Sequence, residues 1–209
     1  MFVQEKIDNL AEKISKCQKC PLYKSATQAV PGGPNPDTDI VFIGEAPGYW
    51  EDQRGVPFCG RSGDLLNKLL RKINLDRKDV FICNILKHRP PNNRDPSPEE
   101  IEACTPWLKQ QLLIIKPKIV ITLGRFAMNY FIPNVYISKT HGQPKQILWQ
   151  DLDLLLYPLY HPAAGLRNGS VKEDLIEDFL KIPEIIKGES DMDMRIKEKE
   201  KDPEQESLF

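Results

Sequence analysis

Cys17 and Cys20 stand two residues apart and run into Pro21, and Cys104 follows far along the chain. Thiolates at that spacing grip one metal ion or cluster, and a following proline is familiar from iron–sulfur runs. Zinc would use the same ligands. Two ordinary thiols after a helix are the plain alternative. A fourth ligand is open between His88, in a proline-rich loop, and Cys83, inside an apolar run. A loop side chain reaches a shared centre more easily than one fixed in a strand. Cys83 and Cys59 otherwise read as small packing residues.

A second set gathers in residues 40–63, IVFIGEAPGYWEDQRGVPFCGRSG. An apolar, β-branched run ends at Gly44 in a loop rich in acids, and open α/β sheets bind ligands beyond such strand ends. Glu45 and Glu51 can serve as general base, water orienter or substrate reader, or as a helix cap or loop charge. Phe58 offers a face on which a base could stack, or a core side chain. Asn84 sits in the run VFICNIL, where a buried amide must satisfy both donor and acceptor. It is therefore a candidate reader of a ligand's amide edge, with a loop cap as the plainer alternative. His161, after the last apolar run, can donate to a developing anion, or be an ordinary structural histidine. Residues 163–167, AAGLR, suit a wedge entering a nucleic-acid stack with Arg167 on a phosphate; a loop leading into a helix is the plainer reading.

The elements that must position these groups follow from periodicity. Apolar runs at 40–43, 80–86, 119–123 and 152–157 predict buried strands. Helices are predicted at 5–16, with Ile7, Leu10 and Ile14 on one face, from Ser62 onward with Leu65, Leu66, Leu69, Leu70 and Ile73, after Gly124, and at 171–186. Ser97-Pro98-Glu99-Glu100 predicts a helix start with a capping box, and that helix carries Cys104. Strands alternating with helices imply an α/β fold, a three-layer α/β/α sandwich around a four-stranded parallel sheet. Residues 31–39 read as a turn-rich loop.

The chain has 209 residues with 40% hydrophobic content, enough for one core, so residues 1–187 are expected to form a single domain. Net charge is −1, so composition excludes neither a nucleic-acid partner nor its absence. With no signal peptide and no long apolar run, a soluble, cytoplasmic protein without a membrane partner is expected. Five cysteines do not suggest a disulfide framework. Residues 188–209 are charged and apolar-poor, so disorder is expected there. The chain closes on Gln205, Leu208 and Phe209, and large apolar residues at the end of such a tail suit a docking peptide.

Taken together these blocks resemble the family 4 uracil-DNA glycosylases, the iron–sulfur type of thermophilic prokaryotes. The resemblance spans roughly residues 5–187 and rests on Cys17-x-x-Cys20-Pro21, Gly44-Glu45-Ala46-Pro47-Gly48 with Glu51-Asp52, and Pro57-Phe58 with Gly60-Arg61-Ser62-Gly63. It rests equally on Asn84 with Lys87 and Arg89-Pro90-Pro91-Asn92-Asn93-Arg94, Pro98-Glu99-Glu100-Ile101 with Cys104, and His161-Pro162-Ala163-Ala164. It implies a monomeric enzyme that flips uracil out of DNA and hydrolyses its glycosidic bond. In that reading Phe58 stacks on uracil, Asn84 binds its amide edge, and Glu51 lies against C5 to exclude the thymine methyl. His161 stabilises charge on O2, while Glu45 with the Gly44–Gly48 backbone lies by the attacking water. Residues Ala163, Ala164, Gly165, Leu166 and Arg167 fill the gap left by the flipped nucleotide. Lys87, Arg89, Arg94 and Arg167 are the expected phosphate contacts.

The resemblance also implies a 4Fe–4S cluster held by Cys17, Cys20 and Cys104. The family's remaining cysteine falls where this chain has His88. His88 is the preferred fourth ligand, since imidazole replaces thiolate on iron in other clusters; Cys83 or an open position are the alternatives. The tail resembles a truncated sliding-clamp (PCNA) binding peptide. Two rival readings are a non-catalytic cluster protein that binds nucleic acid, and a relative that acts on other deaminated bases or forms a covalent adduct through a loop histidine.

Overall fold

Four apolar runs bury both faces, as strands do in the middle of a helix-covered parallel sheet. They are β2 (Ile40–Gly44), β3 (Phe81–Asn84), β4 (Ile119–Leu123) and β6 (Leu152–Leu159). The computed structural model describes residues 2–201, with the backbone alone over 189–201. Two further strands, β1 (Gly33–Pro34) and β5 (Lys145–Trp149), complete the sheet in the order β1-β3-β2-β4-β6-β5. The four central strands pair in parallel.

The sheet thus has six strands, not the four expected. β1 pairs antiparallel with β3, and β5 antiparallel with β6. Both hid for physical reasons. β1 is a glycine and a proline, which carry no strand propensity. β5 is a partly exposed edge strand. It is joined to β6 by Gln150 and Asp151 at φ 51° and 63°, the backbone of a tight hairpin turn.

Helices cover both faces. α1 (Val3–Ser15), α4 (Pro98–Ile115) and α5 (Arg125–Phe131) lie on one side. There Ile7, Leu10, Ile14, Trp107 and Leu112 pack with Val41, Ile43, Phe81 and Val120. α3 (Arg61–Lys72) and α8 (Gly169–Lys201) lie on the other. There Leu66, Leu69, Leu70 and Ile182 pack with Ile82, Ile121 and Tyr157, and Phe42 stacks on Phe179 at 5.7 Å. Each such side chain contributes about 1.5–3 kcal/mol by leaving water. The alternation of faces along β2, from Ile40 and Phe42 to Val41 and Ile43, follows from the two-residue pleat.

The capping box of α4 forms as expected: the N–H of Glu100 reaches the Ser97 hydroxyl at 3.3 Å, and the N–H of Ser97 reaches the Glu100 carboxylate at 2.9 Å. Two short helices appear where loops were expected: α2 (Tyr49–Arg54) interrupts the loop after β2, and α7 (Pro162–Arg167) contains the expected wedge. A third, α6 (Ile137–Thr140), precedes β5. α8 continues to Lys201, past its expected end and through part of the stretch expected to be disordered; Met, Arg, Lys and Glu, frequent there, are strong helix formers.

β2 lies between β3 and β4, so the chain leaves β2 on one side, comes back, and continues on the other. The crevice beyond the carboxyl ends of β2 and β4 is the topological switch point where such sheets bind ligands. Gly44, Asn84, Gly124 and His161 all stand at this edge.

Candidate active site

Gly44 and Asn84 are register partners at the ends of β2 and β3. A side chain on Gly44 would overlap the Asn84 carboxamide and stand 2.6 Å from the Phe58 ring, so Gly44, Asn84 and Phe58 share one small volume. Asn84 is 1% exposed, and neither end of its amide has a partner among the described residues. Among the described residues, the Thr122 hydroxyl is the other buried side-chain group in that state. An unpaired buried amide costs about 1–3 kcal/mol, and a fold retains that cost where a ligand satisfies it. Asn84 occupies the last position of its strand, not the middle of a longer one: the N–H groups of Ile85 and Leu86 already turn to the carbonyls of Gly44 and Glu45 at 3.0 Å.

Phe58 is buried and held at φ 50°, a left-handed backbone that is strained for a bulky residue. Two features enforce it. The Arg77 guanidinium donates to the carbonyls of Pro57 and Phe58 at 2.6 and 2.9 Å. Any side chain at Gly63 would overlap the Phe58 carbonyl. Nothing in the local sequence RKD marks Arg77 for this task.

His161 caps α7 and faces Phe58, with ring centroids 5.5 Å apart and planes tilted by 32°. Its Nδ1 accepts the Ala163 N–H at 3.1 Å. That bond places the ring proton on Nε2. Desolvation, aided by the Arg167 charge, pushes its pKa down to about 4. The imidazole is therefore a neutral Nε2–H donor across the whole range near neutrality. Gly124, at φ 92°, packs against it: a side chain there would stand 3.1 Å from the His161 Cβ.

The two acids of the loop differ. Burial, helped by the charge of Asp95 and opposed by Arg125, pushes Glu45 up to about 7. Glu45 is thus a base poised near neutrality. Glu51 is the third residue of α2, and its carboxylate accepts the Gly48 N–H and the backbone of Phe58. Burial raises its pKa, and those backbone donors oppose the rise. It braces the loop on which Phe58 stands. Asp52, buried beside it, accepts the Thr27 N–H at 2.8 Å.

Cys17, Cys20 and Cys104 lie within electrostatic reach of one another. The Trp107 indole N–H reaches the Cys17 sulfur at 3.1 Å, and the Lys87 backbone N–H reaches the Cys104 sulfur at 3.2 Å. Burial pushes the Cys104 thiol up to about 11, only partly offset by Lys87, so a Cys104 thiolate needs a cation beside it. Donors aimed at sulfur are what a cluster uses. Among the described residues, however, no three His, Cys, Asp or Glu side chains are arranged to hold a metal ion. His88 is buried and its pKa is lowered by that burial, with the Asp52 charge opposing. It is thus kept neutral, as a metal-binding imidazole must be. Cys83 is enclosed in β3, where a side chain at Gly32 would touch its Cβ at 3.0 Å.

The expected phosphate contacts separate. Lys87 is a correction: it is 0% exposed, and its ammonium donates to the Asn84 carbonyl and to Gln111, each at 2.7 Å. A lysine sealed this way cannot meet a phosphate. Arg94 chelates Glu100 at 2.6 and 2.9 Å. Arg89 donates to Asn93 at 2.7 Å and Arg167 is exposed at the end of α7. Ala163, Ala164 and Gly165 lie in the same short helix, corrected from a loop, with Leu166 exposed at its far end. Leu166 borders a cleft of about 410 Å³ between α3 and α8 whose basic side chains, Arg61, Lys68, Lys72 and Lys172, were not among the expected phosphate contacts. Gln205, Leu208 and Phe209 lie outside the described residues. Among those described, no helix is long and apolar enough to cross a membrane.

Comparison with known proteins converges on one family. The sequence model of the uracil DNA glycosylase superfamily matches residues 31–181. The chain is 45% identical over 190 residues to the type-4 uracil-DNA glycosylase of Saccharolobus solfataricus, covering 87% of each chain. It is 43% identical over 187 residues to that of Archaeoglobus fulgidus, covering 87% of this chain and 94% of that one. It is 43% identical over 194 residues to that of Thermotoga maritima, covering 90% of this chain and 100% of that one.

Proposed function

The chain belongs to the uracil DNA glycosylase superfamily, and from that premise we propose that it excises uracil from DNA, hydrolysing the N-glycosidic bond to release free base and leave an abasic site. The observation that carries the reading is the buried Asn84 amide, unpartnered and enclosed by Gly44 and Phe58. Uracil's imide edge alternates acceptor and donor as that amide does. A duplex hides this edge, so the nucleotide must flip out to meet it.

Phe58 then stacks on the flipped ring. The departing uracilate spreads negative charge over its oxygens, and the His161 Nε2–H donates to O2 as that charge grows. One such donor contributes about 3 kcal/mol in the transition state. Because the imidazole is neutral, it stabilises the anion by donating a hydrogen bond while keeping its proton. Glu45, with the Gly44–Gly48 backbone, orients and deprotonates the attacking water. Glu51 closes the pocket beside C5 through the loop it braces. A single missing methyl gives only about 1–3 kcal/mol of discrimination by attraction, so thymine must be excluded by contact.

Cys17, Cys20 and Cys104 with the His88 imidazole hold the 4Fe–4S cluster of this proposal. When bound, it supplies a structural tie between the end of α1, α4 and the loop after β3. Leu166 and Arg167 enter the space left by the flipped nucleotide. Gln205, Leu208 and Phe209 bind a sliding clamp; clamp capture that survives deletion of 204–209 would refute that part. The same reading makes the protein a cytoplasmic monomer. Release of free uracil from a uracil-containing oligonucleotide, with no protein–DNA adduct on a denaturing gel, tests the whole. Binding without release favours a non-catalytic module, and an adduct favours the covalent relative.

A further inference from the structure

Two aromatic side chains at the rim of the pocket have no part in the roles above. Tyr49 and Trp50 open α2 directly after Gly48, and are 50% and 52% exposed. Their rings meet edge to face with centroids 5.1 Å apart. The Arg89 guanidinium lies over the Tyr49 ring at 5.1 Å, and that of Arg54 lies over Trp50 at 5.3 Å. Trp50 also rests on Gly60, where a side chain would stand 3.4 Å from its Cδ1. Single exposed aromatics need no explanation, but an adjacent pair, each backed by a guanidinium, presents flat apolar faces set in positive charge. The acids of the same helix, Glu51 and Asp52, are buried. This pattern matches single-stranded nucleic acid, whose bases stack on aromatic faces while its phosphates meet arginines.

We infer that Tyr49 and Trp50 form a stacking platform for unpaired bases of the DNA strand beside the flipped uracil, with Arg54 and Arg89 on the flanking phosphates. The platform is continuous with the pocket, since Gly48 adjoins Tyr49 in the chain and Gly60 follows Phe58 by two residues. It rests on the DNA-glycosylase reading and adds the strand that this site grips.

The test is the dissociation constant of the full chain for a short single-stranded oligonucleotide, measured by fluorescence anisotropy with and without a central uracil. Trp50→Leu and Tyr49→Leu each weaken binding at least about fivefold, the lower end of a base–aromatic stack. Trp50→Phe restores most of it, because a ring remains. Tyr136→Leu, which removes another exposed aromatic, leaves binding unchanged. Replacing the bases beside the uracil by abasic sites erases the difference between wild type and Trp50→Leu. Unchanged affinity in both leucine variants, or a loss that persists on the abasic-flanked oligonucleotide, overturns the platform. A wild-type protein that releases no uracil fails the glycosylase reading instead, and the uracil-free oligonucleotide still tests the platform separately.

Discussion

The ammonium of Lys87 lies 2.7 Å from the carbonyl oxygen of Asn84, while the Lys87 backbone N–H reaches the Cys104 sulfur at 3.2 Å. One buried residue therefore joins the pocket to the cysteine site. Its ammonium also meets Gln111, whose amide nitrogen donates to the Pro31 carbonyl at 2.8 Å. The end of β3 is thus pinned to α4 and to the segment before β1, which holds the Asn84 side chain where none of the described residues satisfies it.

That arrangement implies a trade between stability and activity at Asn84. Replacing an unpartnered buried amide with an apolar side chain of similar shape removes a cost of about 1–3 kcal/mol. Asn84→Leu is expected to hold or raise the melting temperature, by about 2–4 °C per kcal/mol for a chain of this size, while uracil release is lost. Thermal unfolding and a release assay on one preparation check this. A melting temperature several degrees lower would mean that the amide is not a liability in the free protein.

Glu45 sets the pH dependence. With a pKa raised to about 7, it is protonated and unable to take a proton from water below that value, and ionised above it. Single-turnover release should rise with pH through a midpoint near 7. His161, at about 4, stays neutral throughout and adds no transition there. Glu45→Gln should lower the rate by about 10²–10⁴-fold and flatten the profile. A midpoint near 7 that persists in Glu45→Gln assigns the titration to another group.

Phe58 needs Arg77. Without the two hydrogen bonds from its guanidinium, the strained backbone at Phe58 relaxes, a change of about 1–3 kcal/mol. Arg77→Ala is expected to raise KM for uracil-containing DNA about tenfold or more, and Arg77→Lys to recover little, because an ammonium cannot reproduce the two-pronged contact. Steady-state kinetics on folded protein, verified by circular dichroism, decide; wild-type KM in Arg77→Ala contradicts the role.

The fourth ligand is open to direct measurement. His88→Ala should lower iron content and visible absorbance, His88→Cys should keep both, and Cys83→Ala should change neither. Full iron in His88→Ala transfers the position away from His88.

Much of this was legible in the chain. Leu65, Leu66, Leu69 and Leu70 at helical spacing, and Ser97 three residues before Glu100, report local structure because their partners are local. Asn84 stood out because an amide in an apolar run must have a use. Lys87 was misread as a phosphate contact because its acceptors, the Asn84 carbonyl and Gln111, come together only in the folded chain. Arg77 and the Tyr49–Trp50 pair were overlooked for the same reason: their meaning lies in contacts with Phe58, Arg54 and Arg89, not in spacing. The edge strands escaped because β1 and β5 are held by neighbours rather than by their own composition.

The most direct test of the central claim is single-turnover release of free base from a uracil-containing oligonucleotide by wild type and by His161→Ala, at enzyme concentrations that saturate the DNA. The account predicts that wild type releases uracil but not thymine, and that His161→Ala, still bound to DNA, is about 10²–10³-fold slower, the effect of losing one donor aimed at a developing oxyanion. Release by His161→Ala at the wild-type rate, or no release by wild type, would contradict it.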